Sequence, residues 1–77
     1  MKTYTITLTS VNAVKAFVNA ANKKEYEIDL VSGRYLIDAK SIMGIFSLDL
    51  SKPIRVEIHA DDKECEQFGE EIKAFIV

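Results

Sequence analysis

Several things are scarce in this chain of 77 residues. It has one cysteine, Cys65, and one histidine, His59. A lone cysteine excludes an intramolecular disulfide. With a single histidine beside it, the usual Cys/His zinc patterns cannot form within the chain. No metal and no cofactor is expected. Basic residues are also sparse as clusters, since nothing exceeds Lys23-Lys24 and the net charge is −2. The counterion-release term that drives nucleic-acid binding is therefore missing. No apolar run approaches the ~20 residues that span a bilayer, and the N-terminus has no signal-peptide h-region. Neither membrane nor nucleic acid is an expected partner, and a cytoplasmic location is expected. Internal repeats, linkers and low-complexity tracts are absent.

What is present describes an ordinary globular domain: 48% hydrophobic and 29% charged residues. The length fits a single domain over residues 1–77 with one core. A chain this short buries only about 60–65% of its unfolded surface.

Four segments alternate with a period of two. Thr3–Thr9 places Tyr4, Ile6 and Leu8 on one side and threonines on the other. Tyr26, Ile28 and Leu30 alternate with acids. Ser32-Gly33 is a hairpin turn signal, and Arg34–Ala39 returns with Ile37 and Ala39 inward. Ile54, Val56, Ile58 and Ala60 alternate with Arg55, Glu57 and His59. Half-polar strands of this kind predict an antiparallel sheet with one face covered by helices and one open to water.

Three segments repeat at helical spacing. Thr9 or Ser10 caps a helix whose stripe is Ala13, Val14, Phe17, Val18 and Ala21, ending near Asn22-Lys23-Lys24. Ser41–Leu48 is a short helix with Ser41 at its N-cap. Asp61 or Asp62 caps a last helix with Cys65, Phe68, Ile72, Phe75 and Ile76 inward. Gly69 inside that helix weakens it by ~1 kcal/mol relative to alanine and allows close packing. The predicted order is β-α-β-β-α-β-α, an α+β fold.

The middle helix is too short to bury all its apolar residues. Ile45 and Leu48 are the expected core residues. Ile42, Met43 and Phe46 then form an exposed apolar patch beside Ser41. Such a patch marks a partner site, and methionine suits surfaces that meet several partners. Ser41 reads as an N-cap, contributing ~1 kcal/mol.

The element order, with Lys40-Ser41-Ile42-Met43-Gly44-Ile45-Phe46-Ser47-Leu48 after the third strand, resembles the HPr family, the small phosphocarriers of the bacterial sugar phosphotransferase system. The pattern Lys-Ser-Ile-Met-Gly-x-x-Ser-Leu matches the family's regulatory-serine segment, and the resemblance covers essentially the whole chain. The resemblance implies that Ser41, besides capping its helix, is a regulatory phosphorylation site, where a phosphate suits the helix dipole and adds about −1.5 to −2 charge without unfolding the segment. It implies an open-faced β-sandwich and a role in the phosphotransferase system or its regulation. The implied partners are proteins: Enzyme I-like, HPr kinase-like or transcriptional co-regulator proteins, the last as in catabolite repression.

Typical members read Gly-Ile/Leu-His-Ala-Arg-Pro-Ala after the first strand, and that histidine takes phosphate from Enzyme I. Here the stretch is Thr9-Ser10-Val11-Asn12-Ala13-Val14-Lys15-Ala16. It has no histidine, arginine or proline, and it is shorter by a few residues. Histidine phosphoryl relay needs an imidazole nucleophile. Asn12 is not one, and Lys15 supplies a cation without the carrier chemistry. His59 falls on the solvent side of its strand, away from the first helix start. The reading is a non-enzymatic, HPr-like regulatory or partner-binding protein acting through Ser41–Leu48. The alternatives are a divergent phosphocarrier in sugar transport with another acceptor, and a structural module that keeps only the fold.

Overall fold

The structure, a computed structural model, describes residues 2–77. Strands β1 (Lys2–Ile6), β2 (Ile28–Ser32), β3 (Tyr35–Asp38) and β4 (Ile54–Ile58) pair in the order β1-β4-β2-β3, antiparallel throughout. Helices α1 (Val11–Asn22), α2 (Ile42–Phe46) and α3 (Asp62–Glu71) complete the β-α-β-β-α-β-α order. A 3₁₀ turn follows at Lys73–Phe75.

The alternating pattern decides which face each strand residue takes. Ile6, Ile28, Leu30, Ile54, Val56 and Ile58 are fully buried beneath the helices. The odd-numbered positions between them form the open face, with Thr5 opposite Arg55 and Asp29 opposite Glu57. Each helix contributes its expected stripe. Val14, Phe17, Val18 and Ala21 anchor α1, Ile45 anchors α2, and Cys65 and Phe68 anchor α3. Phe17 and Phe68 meet edge to face, with ring centroids 6.1 Å apart and planes at 69°. That geometry favours aromatic pairs by about 0.5–1.5 kcal/mol beyond area burial.

Backbone punctuation follows the chemistry of the sequence. Ser10, Ser41 and Asp61 are the three N-caps, each accepting from the amide three residues on. Gly33 turns the β2–β3 hairpin with φ of +59°, a region that glycine enters without Cβ strain. Gly69 lets α3 lie against Tyr4: a Cβ there would stand 2.6 Å from Tyr4 Cζ. Tyr4 Oη in turn donates to the Cys65 carbonyl at 3.3 Å.

Several boundaries differ from the periodic reading: Tyr26 precedes β2, Ala60 follows β4, and α2 stops at Phe46 and not Leu48. Two larger differences share a cause. The first strand ends at Ile6, not Thr9, because its partner changes. Thr7 N donates to Phe75 O, Val77 N donates to Thr5 O, and Ile6 bridges Ile76. The last helix ends at Glu71 for the same reason. After Ile72 N bonds Phe68 O, the Phe75 and Ile76 amides make tighter bonds to Ile72 and Lys73, and the tail swings onto β1. Phe75 and Ile76 still pack on the core, half-buried, from a turn and not from a helix.

Candidate functional site

Helices α1 and α2 pack against each other on the covered side of the sheet, and their termini make the surface that the sequence singles out. At the start of α1, Ser10 takes an extended backbone and its Oγ accepts from Ala13 N at 3.0 Å. One of the helix-start amides is thereby satisfied by the chain itself. Val11, Asn12 and Lys15 are exposed, Ala13 is half-buried, and Val14 belongs to the core. The stretch Ser10–Lys15 is thus a first helical turn that exposes Val11, Asn12 and Lys15, and no imidazole stands on it.

At the start of α2, Ser41 repeats the same cap, accepting from Gly44 N at 3.1 Å. Gly44 is required there by a close approach. A Cβ would lie 2.7 Å from Ile37 Cγ2 and 3.1 Å from the capping Ser41 Oγ. Of the three residues expected to be exposed, Met43 (78%) and Phe46 (41%) are. Ile42 is not fully so: it is half-buried and packs against the core. The reason is its spacing of three from Ile45, which puts both on one helix side. Ile45 and Leu48 are buried, as expected.

Phe46 does not stand alone. It lines an open groove of about 470 Å³ together with Leu8, Thr9, Ser10, Val11, Leu50 and Ser51. The groove joins the first turn of α1 to the end of α2, so the two segments form one continuous surface. Val11 is 55% exposed and Leu50 is half-buried; the sequence reading missed both. Val11 carries no signal of its own exposure, since it stands three residues before Val14 and seven before Val18, in line with the α1 stripe. Leu50 carries none, since its place depends on how the loop after α2 folds. That loop is fixed by Asp49, whose Oδ1 accepts from Ser51 Oγ at 2.5 Å and Ser51 N at 3.0 Å. The Ser51 hydroxyl first, and its amide second, hold the exposed Asp49 carboxyl below its usual pKa.

His59 lies elsewhere. It is exposed at the end of β4 on the open face of the sheet, and its Nε2 is 2.9 Å from Asp29 Oδ2. Cys65 is fully buried, with Sγ 3.5 Å from the Ile58 and Ala60 carbonyls, as a small core residue. No helix among the described residues is long and apolar enough to cross a membrane. Of the acidic residues on α3, Glu66 pairs with Lys2 at 3.1 Å and Glu71 with Lys24 at 2.6 Å.

Comparison with known proteins gives this geometry a context. The family described as "PTS HPr component phosphorylation site" matches residues 5–77. Among solved structures, HPr-C-His from Thermoanaerobacter tengcongensis is similar with a TM-score of 0.77 and 27% identity, over 96% of this chain and 89% of that one. The phosphocarrier protein HPr from Bacillus anthracis str. Ames has the same fold, with a TM-score of 0.73 and 22% identity over 99% and 96%. No curated protein matches. A family match over nearly the whole length, on the four-stranded sheet and three helices described above, leads to one conclusion: the chain belongs to the HPr phosphocarrier family of the sugar phosphotransferase system.

Proposed function

We propose that this HPr-family chain is a regulatory or partner-binding protein without histidine phosphocarrier activity, working through Ser41–Leu48. It is a binding protein and not an enzyme, it acts as one domain over residues 1–77, and it works in the cytoplasm. The observation that carries this reading is the exposure of Met43 and Phe46 on the segment that matches the family's motif. The groove beside Phe46 extends the docking surface to Val11 and Leu50.

The absence of an acceptor supports the other half of the reading. The first turn of α1 offers Asn12 and Lys15, neither of which is the imidazole nucleophile that histidine relay uses. His59 is no substitute. A phosphoryl group there would face the carboxylates of Asp29 and Glu57, whose oxygens lie within 4.8 Å of the ring nitrogen. Like charges at that separation oppose the transfer.

Ser41 is the proposed switch. A phosphate on its Oγ would sit at the start of α2, next to Met43, and change the charge of the docking face with little effect on the fold. The partners are proteins: an Enzyme I-like protein, an HPr kinase-like protein that modifies Ser41, or a transcriptional co-regulator that reads it, in sugar transport or catabolite repression. A competition assay tests the docking face. Excess chain should slow phosphoryl transfer from Enzyme I to a histidine-bearing HPr, and Phe46→Asp should remove that effect. Equal inhibition by both proteins would exclude Phe46 from the contact. For the switch, HPr kinase should label the wild type and leave Ser41→Ala unlabelled.

A further inference from the structure

The open face of the sheet holds a side-chain cluster that the docking surface does not use. Strands β2 and β4 are the two inner strands, and their register sets Asp29 directly opposite Glu57. His59 lies two residues beyond Glu57, so the period of two puts it on the same face. The ladder continues beside it, with His59 N donating to Glu27 O at 3.0 Å. From there the ring reaches diagonally to Asp29, giving the 2.9 Å Nε2–Oδ2 contact.

One ligand atom from each of Asp29, Glu57 and His59 lies within 4.8 Å of the other two. Three ligands on one ion, at bonds of about 2.0–2.2 Å, stand roughly 3.3–3.8 Å apart. Side-chain rotation that draws the widest pair together by no more than about 1.5 Å closes the set. The side chains of Asp29, Glu57 and His59 are 26%, 20% and 40% exposed, so the group is partly desolvated yet open to solvent. Among the described residues, this is the one place where three such donors converge.

We propose that Asp29, Glu57 and His59 form a binding site for a divalent transition-metal ion on the open face of the sheet. One imidazole with two carboxylates is a donor set for zinc, copper, nickel or cobalt. It is less suited to calcium or magnesium, which take oxygen ligands. Three protein ligands leave a position for water. Arg55 Nη2 already donates to Glu57 Oε2 at 3.0 Å. A carboxylate has about four lone-pair sites, so Glu57 holds the arginine and an ion together. Asp38, opposite Asp29 on β3, adds a nearby negative charge, while its Oδ1 is held by Lys40 N at 2.9 Å. The expectation of no metal weighed only cysteine and histidine; the carboxylates come together through strand register.

The test uses tag-free full chain with Zn²⁺ alone for calorimetry and Cu²⁺ alone for electron paramagnetic resonance. One ion per chain is expected. Because His59 is the only histidine, the copper spectrum should show coupling from a single imidazole. His59→Ala should abolish that coupling. Asp29→Asn and Glu57→Gln should each weaken zinc binding by at least about tenfold, the lower limit seen even for groups behind the ligands. Far-UV circular dichroism checks that each variant keeps its fold, and Asp29→Asn is isosteric. Lack of saturable binding, or unchanged binding in folded His59→Ala, would overturn the site.

Discussion

The first turns of α1 and α2 are built alike and present different chemistry. Each begins with a serine in an extended conformation that bonds the amide three residues on, at 3.0 Å for Ser10 and 3.1 Å for Ser41. Beyond the cap they diverge. The third helical position is Ala13 in α1 and Gly44 in α2. The outward side chains are Val11, Asn12 and Lys15 in one and Met43 and Phe46 in the other. Capping is a local backbone device that many side-chain sets tolerate. In the proposed reading function lies in the outward residues, where α1 presents no imidazole and α2 presents Met43 and Phe46 beside Ser41.

The largest effect should come from removing the anchor of α1. Phe17→Ala empties a fully buried site against Phe68 and should cost about 3–5 kcal/mol, read by chemical denaturation. That is a large part of a small domain's stability. Loss of less than about 1 kcal/mol would mean that α1 is not held by this stripe.

Next comes the third position of each helix. Ala13→Gly should cost ~1 kcal/mol through helix propensity. Propensity alone says Gly44→Ala should be stabilising, yet the Ile37 methyl stands in the way. Overpacking there should instead cost about 1–3 kcal/mol. Pairing Gly44→Ala with Ile37→Ala in a double-mutant cycle should show strong coupling, because Ile37→Ala removes the obstructing Cγ2. A stabilising Gly44→Ala would show that α2 is loosely seated.

The caps themselves should behave equally. Ser10→Ala and Ser41→Ala should each cost ~1 kcal/mol, measured as paired denaturation midpoints. Ser41→Asp, which keeps an oxygen acceptor, should cost less than Ser41→Ala while carrying charge.

The smallest effect concerns the loop that closes the groove. Asp49 ionises below the ordinary aspartate value of about 3.9, chiefly because the Ser51 hydroxyl favours the carboxylate. A group with a lowered folded pKa stabilises the fold above its unfolded pKa. That contribution fades as pH falls through the lower folded value. Ser51→Ala should move the Asp49 carboxyl titration back toward the ordinary value in a carbon NMR experiment.

Much of the fold is legible in the sequence because its signals are local. Tyr4/Ile6/Leu8 and Ile54/Val56/Ile58 alternate as strands with one wet face, and Val14/Phe17/Val18/Ala21 recur as a helix with one dry stripe. Ser10, Ser41 and Asp61 announce their helices. The two largest boundary differences, after Ile6 and after Glu71, share a nonlocal cause. Thr5–Thr7 pair with Phe75–Val77 across the length of the chain, and no window of residues contains that contact. The site divides in the same way. Met43 and Phe46 are readable as surplus apolar residues on a short helix. The groove is not, because Val11, Phe46 and Leu50 come from three segments that only the tertiary fold unites.

The proposed loss of the carrier role at α1, set against the proposed docking role of α2, is open to one direct measurement. The purified chain is incubated with Enzyme I and radiolabelled phosphoenolpyruvate, then assayed for acid-labile phosphate. No acid-labile label on the chain is the expected result, with a histidine-bearing HPr labelled in parallel. Stoichiometric acid-labile phosphate on this chain would contradict it and restore the phosphocarrier role.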